Sequence, residues 1–231
     1  MAPVVCFRAA VATIGRFPAL AGADLELEDG EVAVLEGPNG AGKTSLLRAC
    51  AGLLPVAAGE AEVCGIDVRR HPRQVRRHVG LLGHNPALYD DLTVAENLRF
   101  ALRAAGASVS AAGEVLERLG LGGRLASTPA LRLSAGQRRR VALAVVVARR
   151  PALWLLDEPH AGLDAAGREL LGELLAEALA QGASALIASH EPEQAVPLAD
   201  RVLAMGGGRV LESRPGLRKA PPPVTGVIHV A

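Results

Sequence analysis

The sequence predicts an α/β fold built on a mainly parallel sheet, and three observations carry that prediction. Short apolar runs of strand length alternate with helix-like segments along most of the chain. Between one such run, residues 32–35, and a helix-like one, residues 45–50, lies Gly37-Pro38-Asn39-Gly40-Ala41-Gly42-Lys43-Thr44. This stretch fits the phosphate-loop pattern G-x-x-x-x-G-K-[ST] at every fixed position. A later apolar run, Leu153-Trp154-Leu155-Leu156, ends in two adjacent carboxylates, Asp157 and Glu158.

Taken in order, Asp24-Leu25-Glu26-Leu27-Glu28 alternates like a half-exposed strand, and Asp29-Gly30 turns the chain into the strand at residues 32–35. Ala61-Glu62-Val63-Cys64 and Val79-Gly80-Leu81-Leu82 read as further strands. Residues 92–125 are Ala- and Leu-rich with Gly-Ala-Ser breaks, which suggests an inserted helical subdomain. Residues 142–150 continue a helix into Pro151. The run at residues 153–156 is continuously apolar, as expected of a strand buried on both faces. Residues 167–181 form a helix that stops at Gly182, a glycine suited to the position just past a helix end. Ala185-Leu186-Ile187-Ala188 is a second buried strand. Residues 202–205 and 209–211, joined by Gly206-Gly207-Gly208, read as a terminal hairpin. One domain is expected over residues 1–214, with helical matter at about 88–148, followed by a loosely ordered Pro-rich tail at 215–231. No internal repeat is present.

Composition narrows the function classes. The chain has 231 residues, 50% hydrophobic and 21% charged, which is a globular balance with enough material for a substantial core. A net charge of +1 supplies no bulk field for nucleic acid, and 2% aromatic residues leave little for base-stacking platforms. The longest apolar run, residues 141–148, suits a core helix and is far below the roughly 18 residues that span a bilayer. The N-terminus shows no basic region followed by a hydrophobic stretch and a cleavage site, so a cytoplasmic chain is expected. Cys6, Cys50 and Cys64 have neither metal nor disulfide spacing and read as small hydrophobes in a reducing compartment.

The phosphate-loop glycines let backbone N–H groups turn toward a polyphosphate, and the following helix N-terminus adds its positive dipole end. Lys43 is expected to reach the β- and γ-phosphates, and the Thr44 hydroxyl to ligate Mg²⁺. Asp157 suits a Mg²⁺ ligand. Glu158, pointing the other way along the strand, suits a general base or a water-positioning group. Ser134 and Gln137 have the S-x-x-Q spacing of a capping box. That cap reads equally as a plain helix start and as an anion site made by the Ser134 hydroxyl, the Gly136 N–H and the helix dipole.

The order of these segments is itself informative. Phosphate loop, Leu133-Ser134-Ala135-Gly136-Gln137, Leu155-Leu156-Asp157-Glu158, Ala161-Gly162-Leu163-Asp164 and Ser189-His190 follow one another. Over about residues 4–213 the chain resembles the nucleotide-binding subunits of ATP-binding cassette (ABC) transporters. The resemblance implies a P-loop NTPase (RecA-like) core with an antiparallel β subdomain and an inserted α-helical signature subdomain. It makes Gly37, Asn39, Gly40, Ala41, Gly42, Lys43, Thr44 and Ser45 the Walker A loop, and puts Ser134, Gly136 and Gln137 in the signature motif. It makes Asp157 the Walker B carboxylate, Glu158 the catalytic glutamate, Asp164 the D-loop aspartate and His190 the switch histidine. It further implies ATP and Mg²⁺, a head-to-tail homodimer or heterodimer of cassettes, an integral membrane permease, and a seat on the cytoplasmic face of a bacterial plasma membrane.

The chain departs from the family pattern in three places. Where relatives carry a glutamine after the strand at residues 79–82, this chain has Gly83-His84-Asn85-Pro86, so His84 is either a nucleotide sensor or a loop-packing residue. His160 stands where many relatives have Thr and is expected in a structural or dimer-contact role. Phe17 is the candidate aromatic for stacking on adenine, the other reading being an ordinary core Phe. The basic run at residues 69–78 reads as a solvated face or as a surface beside anionic membrane, and Arg138-Arg139-Arg140 as support for the signature helix.

Within the family, Leu82-Gly83-His84-Asn85-Pro86-Ala87-Leu88-Tyr89 followed by Glu96-Asn97-Leu98, together with Leu133-Ser134-Ala135-Gly136-Gln137-Arg138-Arg139-Arg140, looks like the haem-exporter ATPases of cytochrome c maturation. On that resemblance the expected function is ATP hydrolysis coupled to export through a permease docked between about His84 and Phe100. The other readings are a cassette for a different exporter (lipid, drug or peptide) and a soluble ABC ATPase.

Overall fold

A computed structural model describes residues 2–218. Two sheets and a set of helices follow in chain order. Strands β1 (Val5–Ile14) and β2 (Phe17–Leu27) lead to β3 (Val32–Glu36) and helix α1 (Lys43–Cys50). Then come β4 (Val56–Val63), β5 (Ile66–Asp67), α2 (Pro72–His78) and β6 (Val79–Leu82). Helices α3 (Val94–Ala104), α4 (Ala112–Arg118) and α5 (Ala135–Arg149) precede β7 (Leu153–Asp157), α6 (Ala165–Ala180) and β8 (Ser184–Ala188). The chain closes with α7 (Pro192–Ala195), β9 (Arg201–Gly206) and β10 (Arg209–Pro215). No helix among the described residues is long and apolar enough to cross a membrane.

The larger sheet has the order β10-β9-β3-β8-β7-β6 and is parallel except for the β9–β10 hairpin. Strands β7 and β8 are buried at every position, which is why they read as unbroken apolar runs. Their side chains alternate between two cores. Leu153, Leu155, Leu186 and Ala188 face α1 and the second sheet. Trp154, Leu156, Ala185 and Ile187 face the helical side, with Leu98, Leu116, Val141 and Leu171. One sheet therefore serves as the wall between two hydrophobic clusters.

The second sheet, β2-β1-β4-β5, is antiparallel. Two of its strands overlap expected ones, β2 with residues 24–28 and β4 with residues 61–64, whereas their pairing into a separate antiparallel sheet was expected only from the family resemblance. Its central strand β1 is interrupted by register shifts, and Ala9 sits at φ 45 with its N–H on Asp24 Oδ1. A bulged strand loses the period-2 alternation by which strands are recognised. The Asp29-Gly30 turn joins the two sheets rather than closing a hairpin. The strand expected at residues 61–64 begins earlier, at Val56.

The expected tail divides. Residues 219–231 lie outside the described residues. Residues 215–218 are docked: Gly216 N–H donates to the Asp200 carbonyl, and Arg218 pairs with the Asp200 carboxylate at 2.6 Å. The Pro-rich composition further on masked this anchor in the sequence.

Candidate active site

Strands β3, β6, β7 and β8 are parallel, so their carboxyl ends share one edge of the sheet, where open α/β sheets bind ligands. The loop after β3 supplies residues 37–42, the end of β6 supplies His84, the end of β7 supplies Asp157 and Glu158, and the end of β8 supplies His190. A single pocket is lined by Asn39, Lys43, Thr44, Asp157, Glu158 and His190, with Phe17 and His84 at its sides.

The phosphate loop is held by close backbone packing. A Cβ on Gly37 would lie 2.3 Å from the Met205 carbonyl oxygen, and one on Gly42 would lie 2.9 Å from that of Ala19. Both residues also have positive φ, 146 and 107, which favours glycine. Helix α1 starts at Gly42 without a side-chain cap, so its first N–H groups face the pocket end unpaired by a capping residue. Lys43 is 8% exposed, and its ammonium donates to the carbonyls of Gly37 at 2.6 Å and Pro38 at 3.2 Å. A buried cation beside a helix N-terminus, with carbonyls but no carboxylate among its partners, fits a polyphosphate.

Thr44 Oγ1 donates to Asp157 Oδ1 at 3.2 Å. Burial pushes the Asp157 carboxyl above its usual range, partly offset by the Thr44 hydrogen bond. A hydroxyl and a carboxylate side by side are hard oxygen donors, and a cation would offset that desolvation, so the pair fits Mg²⁺.

Glu158 differs from the sequence expectation. Simple alternation sends it to the opposite face from Asp157, yet both line the same pocket. The reason is backbone: β7 ends at Asp157, and Glu158 adopts a left-handed φ of 49. For a non-glycine residue this costs about 1–2 kcal/mol, and it turns the side chain back into the pocket. Its N–H donates to the Ala188 carbonyl at 2.8 Å. Glu158 Oε2 receives the His190 backbone N–H at 3.2 Å and stands 2.8 Å from His190 Nδ1. The hydrogen bond with Glu158 raises the His190 pKa above its ordinary value.

Phe17 is 79% exposed at the pocket rim, so the core-residue reading does not hold. His160 is 7% exposed, and burial lowers its pKa; a buried imidazole fits the structural alternative.

Four expected site residues lie elsewhere. Ser134 and Gln137 form a complete capping box at the start of α5, with bonds of 3.2 and 2.9 Å. Gly136 approaches the Gly162 backbone so closely that an added Cβ would lie 3.0 Å from its carbonyl oxygen. Asp164 caps α6 through the Gly167 N–H and pairs with Arg140 at 2.9 Å. Within one chain these residues form their own cluster, none of them lining the phosphate-loop pocket.

Sequence reasoning gave Arg139 only a general supporting role. It is 5% exposed and runs from α5 to the ends of β6 and β7. Nη1 donates to the Gly83 and His84 carbonyls, and Nη2 to those of Asp157 and Glu158.

A family model for the ABC transporter matches residues 20–161. The chain belongs to the ABC transporter family. The match spans the phosphate loop, the signature segment and the carboxylate pair, and stops before Asp164 and His190. This ABC cassette is an ATP-binding and ATP-hydrolysing subunit with the RecA-like architecture described above. A cytochrome c biogenesis ATP-binding export protein, CcmA, of Bordetella bronchiseptica is 47% identical over 171 residues, covering 72% of this chain and 75% of the relative. An sn-glycerol-3-phosphate import ATP-binding protein of Rhizobium johnstonii is 38% identical, covering 91% of this chain and 58% of the relative. Among solved structures, the dimeric ATP-binding cassette MJ0796 in a post-hydrolysis state with ADP and phosphate superposes with a TM-score of 0.84. It is 26% identical, and the match covers 93% of this chain and 99% of that one.

Proposed function

We propose that this cassette energises an exporter serving cytochrome c biogenesis, with haem as the favoured cargo, from the cytoplasmic face of the plasma membrane. The observation that carries the reading is the 47% identity to the Bordetella export protein over 72% of the chain. The cargo passes through integral membrane subunits, and no residue of this chain need touch it. The import relatives favour a second reading, a cassette for another transporter, since one of them aligns with 91% of the chain.

In the proposed cycle Lys43, Asn39 and the amides of residues 40–45 bind the phosphates, and Phe17 offers a π face to the adenine. Thr44 and Asp157 hold Mg²⁺, which neutralises charge on the phosphates when bound. Glu158 orients and polarises the attacking water, and His190 holds the Glu158 carboxylate in place. The separate cluster of Ser134, Gly136, Gln137 and Asp164 supports a head-to-tail dimer, in which each pocket is completed by the partner's signature helix. Residues 1–214 act as one nucleotide-binding domain with the helical subdomain at about 88–148.

The test is a pull-down of tagged Glu158→Gln protein from native membranes with ATP and Mg²⁺. A co-purifying polytopic membrane protein with a haem absorption band is expected. A permease without haem moves the cargo assignment to the second reading, and soluble partners alone defeat both.

A further inference from the structure

A cavity of about 390 Å³ lies at the amino ends of β7 and β8, at the opposite edge of the sheet from the phosphate loop. It falls on the seam between the helical subdomain and the sheet core. Helix α4 and the last turn of α5 form one side, and α6 and β7 form the other. The volume is in the range of small-molecule sites. Its apolar lining includes Val115, Val147, Trp154 and Leu174. Trp154 is 3% exposed, and its indole Nε1 has no hydrogen-bond partner among the described residues. None of these residues lines the nucleotide pocket.

The charged groups on the lining are divided by sign. Between α4 and α6, Arg118 forks onto the Glu177 carboxylate, with Nη1 at 2.7 Å from Oε2. Glu114, one turn before Arg118 on α4, lines the cavity as well. Two carboxylates against one guanidinium leave this side negative. At the end of α5 stands Arg150. Among the described residues neither Glu114 nor Arg150 forms an ion pair. Arg150 also holds a left-handed backbone, φ 46, at a helix end where glycine is the usual residue. Its guanidinium therefore stands here against the backbone preference. An occupant that carries both charges and a hydrogen-bond acceptor meets Glu114, Arg150 and the Trp154 N–H together.

We propose that this cavity binds a small zwitterion with an apolar body, of the class of the apolar α-amino acids. Its carboxylate faces Arg150 and the Trp154 N–H, its ammonium faces Glu114, and its side chain lies on Val115, Val147 and Leu174. An anion alone meets the negative α4–α6 side, and a cation alone meets Arg150. A purely apolar molecule leaves the indole N–H without an acceptor. The site concerns neither the cargo nor the permease. Helix α5 begins after Ser134 and carries Arg139, which holds the Glu158 turn. An occupant joining the last turn of α5 to α6 therefore bears on the same helix that aims the carboxylate.

The experiment is calorimetric titration of the full chain with L-leucine, L-phenylalanine and L-tryptophan. At least one is expected to bind once per chain with a Kd below about 1 mM. Its N-acetyl derivative lacks the ammonium and its amide lacks the carboxylate, and each is expected to bind about tenfold more weakly. Arg150→Gly is expected to abolish binding while its Tm stays at or above the parent's, because glycine suits the left-handed position. Glu114→Gln, at an exposed position, is expected to weaken binding about tenfold with the Tm unchanged. ATP affinity is expected to match the parent in both variants, since neither residue lines the phosphate-loop pocket. Loss of the amino acid with ATP binding intact is thus specific to the cavity. No binding by any of the three amino acids overturns the proposal. Binding that survives either substitution, or that the N-acetyl derivative or the amide matches, also overturns it.

Discussion

Arg139 Nη2 donates to the backbone carbonyl of Glu158 at 2.6 Å, and to that of Asp157 at the same distance. One buried guanidinium from the signature helix thus holds the turn that aims the carboxylate. Arg139→Ala leaves four carbonyls without their donor, each costing about 1–3 kcal/mol if it stays dry. With water admitted to some of them, a fall in Tm of about 5 °C is expected. The ATPase rate is expected to fall further than the melting shift alone explains, because the left-handed turn at Glu158 loses its clamp. Arg139→Lys recovers part of the Tm and little of the rate, since an ammonium cannot fork between β6 and β7. Thermal melts and steady-state ATPase assays check both; a variant equal to the parent in each refutes the clamp.

The three consecutive arginines show where sequence reading stops. Successive helical residues point about 100° apart. Arg138 turns to Asp90, Arg139 inward to the strand ends, and Arg140 to Asp164. Nothing in the string of letters says which of the three goes inside. The phosphate loop, by contrast, was legible because glycine, lysine and threonine at fixed offsets have few other uses in a strand–helix turn. The buried strands β7 and β8 were legible for a similar reason, being apolar on both faces. The bulged strand β1 was not, and neither was the swing of Glu158, because both depend on single backbone torsions set by tertiary packing.

Lys43→Ala removes the cation at the centre of the phosphate loop. A charge-assisted hydrogen bond is worth about 1.5–3 kcal/mol, so ATP affinity is expected to fall by roughly 10- to 100-fold. The loop itself should survive, since its glycines are held by backbone packing against Met205 and Ala19. Titration with a fluorescent ATP analogue measures the loss; unchanged affinity rejects the loop as the phosphate site.

His190 gives the site a pH dependence with a defined sign. Its pKa is raised above the ordinary 6.5, first by the hydrogen bond to Glu158. The stabilisation from the charged pair is therefore complete below that ordinary value and is lost as pH rises through the raised one. NMR titration of His190 in the free protein is expected to give a midpoint above 6.5, moving down in Glu158→Gln. A midpoint that ignores the Glu158 substitution removes this coupling.

His84 lies just past β6, and its exposed side chain lines the nucleotide pocket. Its positive form would favour the ionised Asp157 carboxylate across the pocket. As a metal ligand, imidazole is softer than Mg²⁺ prefers, whereas an amide oxygen is hard. His84→Gln is thus expected to lower the Mg²⁺ concentration for half-maximal ATPase by about threefold. The loop should keep its shape, because Arg139 binds the His84 backbone carbonyl at 3.1 Å rather than its side chain. ATPase rates measured across a Mg²⁺ series decide the matter. A shifted midpoint with an unshifted Tm assigns His84 to nucleotide sensing, and an unshifted midpoint with a lowered Tm assigns it to packing of the loop.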